Sequence, residues 1–252
     1  MAPTRSAVTA WVSNLRFPFQ SGDLPLARDA ARRLRLAMIL PCGAATYLYG
    51  DTDKWAHGYT TAYQRHFRSL RYRRNCVWEI GVGSESHRTR GGGSLRIWRD
   101  FFPRSRIIGV DIHKKDLDLG NRVDVVVADQ ASVTDLERLV KDFGTPNVVI
   151  DDGSHMAQHA WVTFSFLWPL MPTGSVYAIE DLHTSYWPSF GGDPESPSRE
   201  TAIGLVKHLV DVVQLVDPTF DWGFGGPPKV KDPVQSLTSM HLYPGLVVLT
   251  KG

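Results

Sequence analysis

The chain has 252 residues, 42% hydrophobic and 21% charged, and its 28 Lys and Arg nearly balance 26 Asp and Glu. One large domain with an appendage suits that length, and a net charge of +2 gives no ground for a nucleic-acid partner. Two cysteines, Cys42 and Cys76, show neither CxxC nor Cys/His spacing, which speaks against zinc or a disulfide framework. No apolar run approaches the roughly 20 residues that span a bilayer, so a cytoplasmic protein is expected.

In chain order, residues 1–25 mix small, polar and aromatic residues and read as irregular. Leu26 to Leu40 reads as a helix, with Leu26, Ala30, Leu34, Ala37 and Met38 on one face and Arg28, Arg32, Arg33 and Arg35 largely elsewhere. Those arginines suit a solvated face or a phosphate grip. Tyr47 to Tyr63 is dense in aromatic and polar residues. It reads either as a lid or substrate wall or as an interface packed on the core. Tyr63 to Tyr72 reads as a basic helix. His57 and His183 suit a pocket wall or the surface equally.

Val77 to Gly83, V-W-E-I-G-V-G, is a short apolar strand ending in an acid and a glycine pair. A loop, Ser84 to Arg90, and a helix from Ser94 to Phe102 follow. Strand, glycine turn and helix open a Rossmann-type unit, and the glycines let backbone approach a ligand. Arg106 to Asp111 is a second strand ending in an acid, placed where a ribose diol is usually held. Arg122 to Gln130 is a third, ending in Asp129. Thr134 to Phe143 reads as a helix with a capping box at Thr134 and Glu137. Then come V-V-I-D-D-G-S-H at Val148 to His155, a helix over Ala157 to Leu167, and S-V-Y-A-I-E-D at Ser175 to Asp181. An aromatic loop follows at His183 to Gly192, then a helix at Thr201 to Leu215. Asp217 to Asp232 reads as an exposed loop, and Met240 to Thr250 as a closing hairpin around Pro244-Gly245. Alternating strands and helices imply an α/β fold, a doubly wound and mostly parallel sheet.

Two strands that each deliver a pair of acids at their C-terminal ends bring carboxylates to one crevice. With His155 nearby, they suit a hard divalent cation and a general base. Neighbours in a strand point to opposite faces, so Asp151 and Asp152 should not both reach one ion. Glu180 and Asp181 meet the same objection unless their strand has already ended. His155 could instead satisfy a helix N-terminus, His159 a structural contact, and Asp129 a local cap.

The order E-I-G-V-G, V-D, A-D-Q, I-D-D-G-S-H and I-E-D, followed by a terminal hairpin, resembles the class I S-adenosylmethionine-dependent methyltransferases. With G-G-S-L-R at Gly92 to Arg96 and Y-W-P at Tyr186 to Pro188, it is most similar to metal-dependent sugar O-methyltransferases of macrolide deoxysugars. It also looks like the mycobacterial 1-O-methyltransferases of methylmannose polysaccharides. The resemblance covers roughly Val77 to Leu215. It implies a Rossmann-like, mostly parallel seven-stranded sheet with a C-terminal antiparallel hairpin. It divides the chain into an N-terminal helical or lid segment, 1–75, and a catalytic domain, 76–252.

By the same resemblance Asp152, Glu180 and Asp181 hold magnesium and His155 is the base. Glu79, Gly81 and Gly83 line the methionine end of the cofactor, Ser94 also binds the cofactor, Asp111 takes the ribose, and Asp129 and Gln130 lie near the adenine. Tyr186 and Trp187 would stack on a sugar face, with ordinary loop packing as the alternative. The implied reaction is magnesium-dependent methyl transfer from S-adenosylmethionine to a saccharide hydroxyl. The acceptor is either the 1-hydroxyl of 3-O-methylated mannosides or a natural-product deoxysugar, and a homodimer is expected. A catechol-type methyltransferase needs a lysine base, and none lies near His155 in the sequence. A non-catalytic cofactor-binding module needs no base, and an NAD-dependent oxidoreductase would carry a compact G-x-G-x-x-G.

Overall fold

The computed structural model describes residues 52–54, 56–83, 87–215 and 236–252, and of residues 214 and 215 the backbone only. The expected helix over 26–40, the tyrosines at 47 and 49, the start of the 84–90 loop and the loop over 217–232 lie outside the described residues.

Helix α1, Tyr59–Phe67, follows Gly58, whose left-handed φ of 76° turns the chain into it. The sheet strands are β1 (Cys76–Ile80), β2 (Arg106–Asp111), β3 (Val123–Val127), β4 (Val148–Asp151) and β5 (Val176–Ile179). Between them lie α2 (Gly93–Phe101), α3 (Val133–Phe143) and α4 (His159–Leu170). Two 3-10 turns, Leu182–Tyr186 and Pro188–Phe190, lead to α5 (Ala202–Leu215), and the chain closes with β6 (Leu237–Tyr243) and β7 (Leu246–Lys251). None of the described helices is long and apolar enough to cross a membrane.

The strands form one seven-stranded sheet in the order β3-β2-β1-β4-β5-β7-β6. The pairs among β1 to β5 are parallel, and β7 runs antiparallel to both β5 and β6. This is the expected Rossmann-like sheet with its antiparallel hairpin. The chain winds outward from β1 to β3, then returns to place β4 on the other side of β1. The carboxyl ends of β1 and β4 therefore flank the switch point, where such sheets bind ligands.

Alternation along the strands feeds two apolar layers. Trp78, Ile108, Val149 and Tyr177 face a layer with Phe164, Trp168 and Leu209. Val77, Ile107, Val148 and Ile150 face the other, with Trp98, Phe102 and the α1 residues Tyr63 and Phe67. Burial on both faces is why these strands read as continuous apolar runs. Tyr63 and Phe67 have no exposed surface, and each such ring contributes about 1.5–3 kcal/mol by leaving water. The 59–67 stretch is thus packed on the core.

The capping box at Thr134 and Glu137 is not formed. The helix starts one residue earlier, and Ser132 is its cap, its Oγ accepting from the Asp135 amide at 3.3 Å. Thr134 already lies inside the first turn, so its hydroxyl cannot take the capping position.

Candidate active site

Strand β4 ends at Asp151, and the alternation there separates the two acids. Asp151 is buried and accepts from Tyr177 Oη at 2.9 Å and Gln130 Nε2 at 3.1 Å. Burial pushes its carboxyl up to about 6, against the pull of those two donors. Asp152 points the other way, and its Oδ2 lies 2.6 Å from Lys54 Nζ. Gly153 permits the turn that follows, because a Cβ there would sit 1.9 Å from Gln130 Oε1. That oxygen accepts from the Ser154 amide at 2.8 Å. Gln130, expected beside the adenine, is thus found bracing the D-D-G-S-H turn from below.

Strand β5 ends at Ile179, which removes the alternation objection for the next pair of acids. Asp181 adopts a left-handed backbone, φ 52°, and starts the first 3-10 turn. His155 is left-handed too, φ 56°, and among the described residues no other non-glycine has a positive φ. One oxygen each of Asp152 and Asp181 and a ring nitrogen of His155 lie within 4.8 Å of one another. His155 Nε2 stands 3.7 Å from Asp181 Oδ2 and 4.0 Å from Asp152 Oδ1. The two carboxylates converge at an accessible point and suit a hard divalent cation, and the imidazole beside them is placed to take a proton.

Glu180 stands behind that group. Its Oε1 accepts from Lys54 Nζ at 2.6 Å and from Tyr63 Oη at 2.5 Å. Tyr59 Oη donates to Asp181 Oδ1 at 2.8 Å, and His57 Nδ1 lies 3.8 Å from the same oxygen. Burial first, then the bond to Asp181, hold the Tyr59 phenol far above its usual range, as a neutral donor.

Lys54 is the residue that sequence reasoning missed. Its side chain is 2% exposed, and its ammonium also lies 3.3 Å from Glu79 Oε1. Burial alone would lower its pKa, but Asp152, Glu180 and Glu79 together raise it well above normal, so the lysine is charged. The available signal was D-T-D-K followed by two tyrosines one helical turn apart, which suits a donor face more than a lid.

On the cofactor side Glu79 is fully buried at the end of β1, and Ser94 Oγ donates to its Oε2 at 2.7 Å. A Cβ on Gly81 would lie 2.0 Å from the Asp152 carbonyl, so the β1–β4 approach demands glycine there. Gly83 is needed for its φ of 80°, with open space around it. Asp111 accepts from the Val82 amide at 3.1 Å and the His113 amide at 2.8 Å. These bonds fix a half-buried carboxylate at the end of β2, as a ribose diol would require. Asp129 accepts from the Ala131 amide at 2.8 Å, the local cap that was its alternative reading.

The 3-10 turns build an aromatic wall. Tyr186 and Trp187 are 38% and 48% exposed. The Trp187 ring is 4.9 Å from that of His183 and 5.9 Å from Phe190, and Phe190 is 6.1 Å from the His155 ring. His159 serves the local structure, with Nδ1 2.7 Å from Ser154 Oγ.

No family model matches the chain. Among curated proteins it is 38% identical over 247 residues to the 8-demethyl-8-α-L-rhamnosyl tetracenomycin-C 2'-O-methyltransferase of Streptomyces olivaceus, covering 96% of this chain and 64% of that protein. It is 41% identical over 204 residues to the demethylmacrocin O-methyltransferase of Streptomyces fradiae, covering 80% of this chain and 51% of that one. Among solved structures, the MycE methyltransferase of the mycinamycin pathway, in complex with Mg, SAH and mycinamycin VI, matches with a TM-score of 0.76 and 30% identity. That match covers 99% of this chain and 62% of MycE. The chain therefore spans between half and two thirds of the length of these relatives. By sequence and by fold it is related, over the length it shares with them, to these O-methyltransferases.

Proposed function

We propose that the chain transfers a methyl group from S-adenosylmethionine to a hydroxyl of a deoxysugar-bearing natural product, with magnesium at the acid cluster and His155 as base. The carrying observation is the convergence of Asp152, His155 and Asp181 at the switch point of this sheet. Relatives that methylate glycosylated antibiotics support the choice of acceptor over a polysaccharide mannoside.

In this reading Asp152 and Asp181 would hold the ion together with Glu180, whose Oε1 is held by Lys54. Magnesium, when bound, supplies positive charge against the developing alkoxide. S-adenosylmethionine supplies an electrophilic methyl whose transfer leaves a neutral thioether. Glu79 and Ser94 shape the methionine end, Gly81 and Gly83 admit the cofactor backbone, and Asp111 takes the ribose hydroxyls. Asp129 borders the adenine, while Gln130 acts through the turn it braces. His155 takes the hydroxyl proton as the new C–O bond forms, and the imidazolium is stabilised by the two carboxylates beside it. Tyr186 and Trp187 receive an apolar sugar face and screen it from water. A homodimer and a cytoplasmic setting belong to the same reading.

The test is methyl transfer to a panel of deoxysugar glycosides, plain mannosides and 3-O-methylmannosides, with magnesium and with a chelator. Turnover of the deoxysugars that stops on chelation and returns with magnesium is expected. Turnover indifferent to the chelator would remove the metal, and turnover of mannosides alone would reassign the acceptor.

A further inference from the structure

Lys54 divides the carboxylates of the crevice. It engages Asp152 through Oδ2 and Glu180 through Oε1, each at 2.6 Å. The other oxygen of Asp152, Oδ1, faces His155. Tyr63 adds a second donor to the oxygen of Glu180 already held by the lysine. Neither acid can swing freely. The ammonium has almost no exposed surface and a third acid, Glu79, against it. Its segment is pinned by amides, His57 to the Asp53 carbonyl and Tyr59 to the Lys54 carbonyl, each at 3.1 Å.

We propose that Lys54 sets the cation preference of the site, by holding one oxygen of Asp152 and one of Glu180 so that each offers a cation a single oxygen. The inference rests on the metal-site reading above. Magnesium takes about six single-oxygen ligands in a tight octahedron, many of them waters. Calcium takes roughly six to eight at longer range and readily uses both oxygens of one carboxylate. Carboxylates locked to one free oxygen therefore favour magnesium. Lys54 is a positioning residue here, since it acts through the carboxylates that it holds.

A lysine that merely neutralised the acids would act differently. Removing its charge would tighten magnesium and calcium by the same factor, because both carry the same charge. The ratio of the two affinities separates the readings. Magnesium and calcium are titrated calorimetrically into the wild-type chain and Lys54→Met, both saturated with S-adenosylhomocysteine. The expected result is a shift of the ratio toward calcium of about tenfold or more in Lys54→Met. An unchanged ratio, or a shift toward magnesium, would overturn the proposal. Should Lys54→Met not fold, Lys54→Gln decides, because its shorter, neutral amide cannot hold both acids; it must shift the ratio the same way, and no shift there sinks the idea. Wild-type protein that binds neither cation would instead refute the metal site itself, and this inference with it.

Discussion

At His155 and Asp181 the chain accepts a backbone conformation that costs an L-residue about 1–2 kcal/mol, at two of the three positions that converge on the candidate metal point. The strain aims side chains that a regular strand or helix would send elsewhere. Asp181→Gly should therefore be more stable than Asp181→Ala by about 1 kcal/mol in urea denaturation, although both lose the same carboxylate. Equal stabilities would show that the turn is not strained. His155→Ala should keep S-adenosylhomocysteine affinity while methyl transfer falls by about a hundredfold or more. Loss of both together would mean that His155 supports the fold of the site and is not its base.

Helix α1 presents two faces with different work. Tyr63 and Phe67 enter the apolar layer, and the hydroxyls of Tyr59 and Tyr63 reach the acids. His66 lies toward the hairpin, with Nε2 2.9 Å from Tyr243 Oη and its ring 4.5 Å from that of His241. Burial first, then the charges of His241 and Arg65, lower its pKa to about 4. A histidine harder to protonate folded than unfolded contributes stability above the unfolded value, near 6.5, and loses it as pH falls toward 4. His66→Gln, which can keep the bond to Tyr243, should flatten the fall of the melting temperature between pH 6.5 and 4. An identical pH profile would remove His66 from the acid response.

These elements also show what was legible in advance. The turns after β1, β4 and β5 announce themselves because glycine, acid and histidine are local demands of a few adjacent residues. Asp152, His155 and Asp181 were readable for that reason. Lys54 was not, because its partners Glu79, Asp152 and Glu180 are far along the chain, and only the sheet order brings them together. The bracing role of Gln130 was hidden for the same cause: its contacts with Asp151 and Ser154 are tertiary. The helix cap lies at Ser132, two residues before Thr134, and Ser132 and Asp135 take the places expected of Thr134 and Glu137.

At the scale of the whole molecule, the sheet order puts Glu79 and Asp111 at the ends of β1 and β2 and Asp152, Glu180 and Asp181 just beyond β4 and β5, so the proposed cofactor and cation sites share one edge. Ligand binding is thus linked to the integrity of the central strands. S-adenosylhomocysteine at a hundred times its dissociation constant should stabilise the chain by about 2.7 kcal/mol. Asp111→Ala should forfeit most of that gain at the same concentration, and an undiminished gain would take Asp111 out of the cofactor site.

The double duty of α1 has a dynamic consequence. A helix that buries rings in the central layer cannot peel away alone, so its tyrosine hydroxyls stay on the acids for as long as the sheet stays whole. The crevice is then part of the last cooperative unit to open, not of a fraying margin. Amides of Tyr63 and Phe67 should exchange with deuterium as slowly as those of Val149 and Val248, through global opening. Rapid exchange confined to α1 would mean that Lys54 and its acids part company while the rest of the protein remains folded.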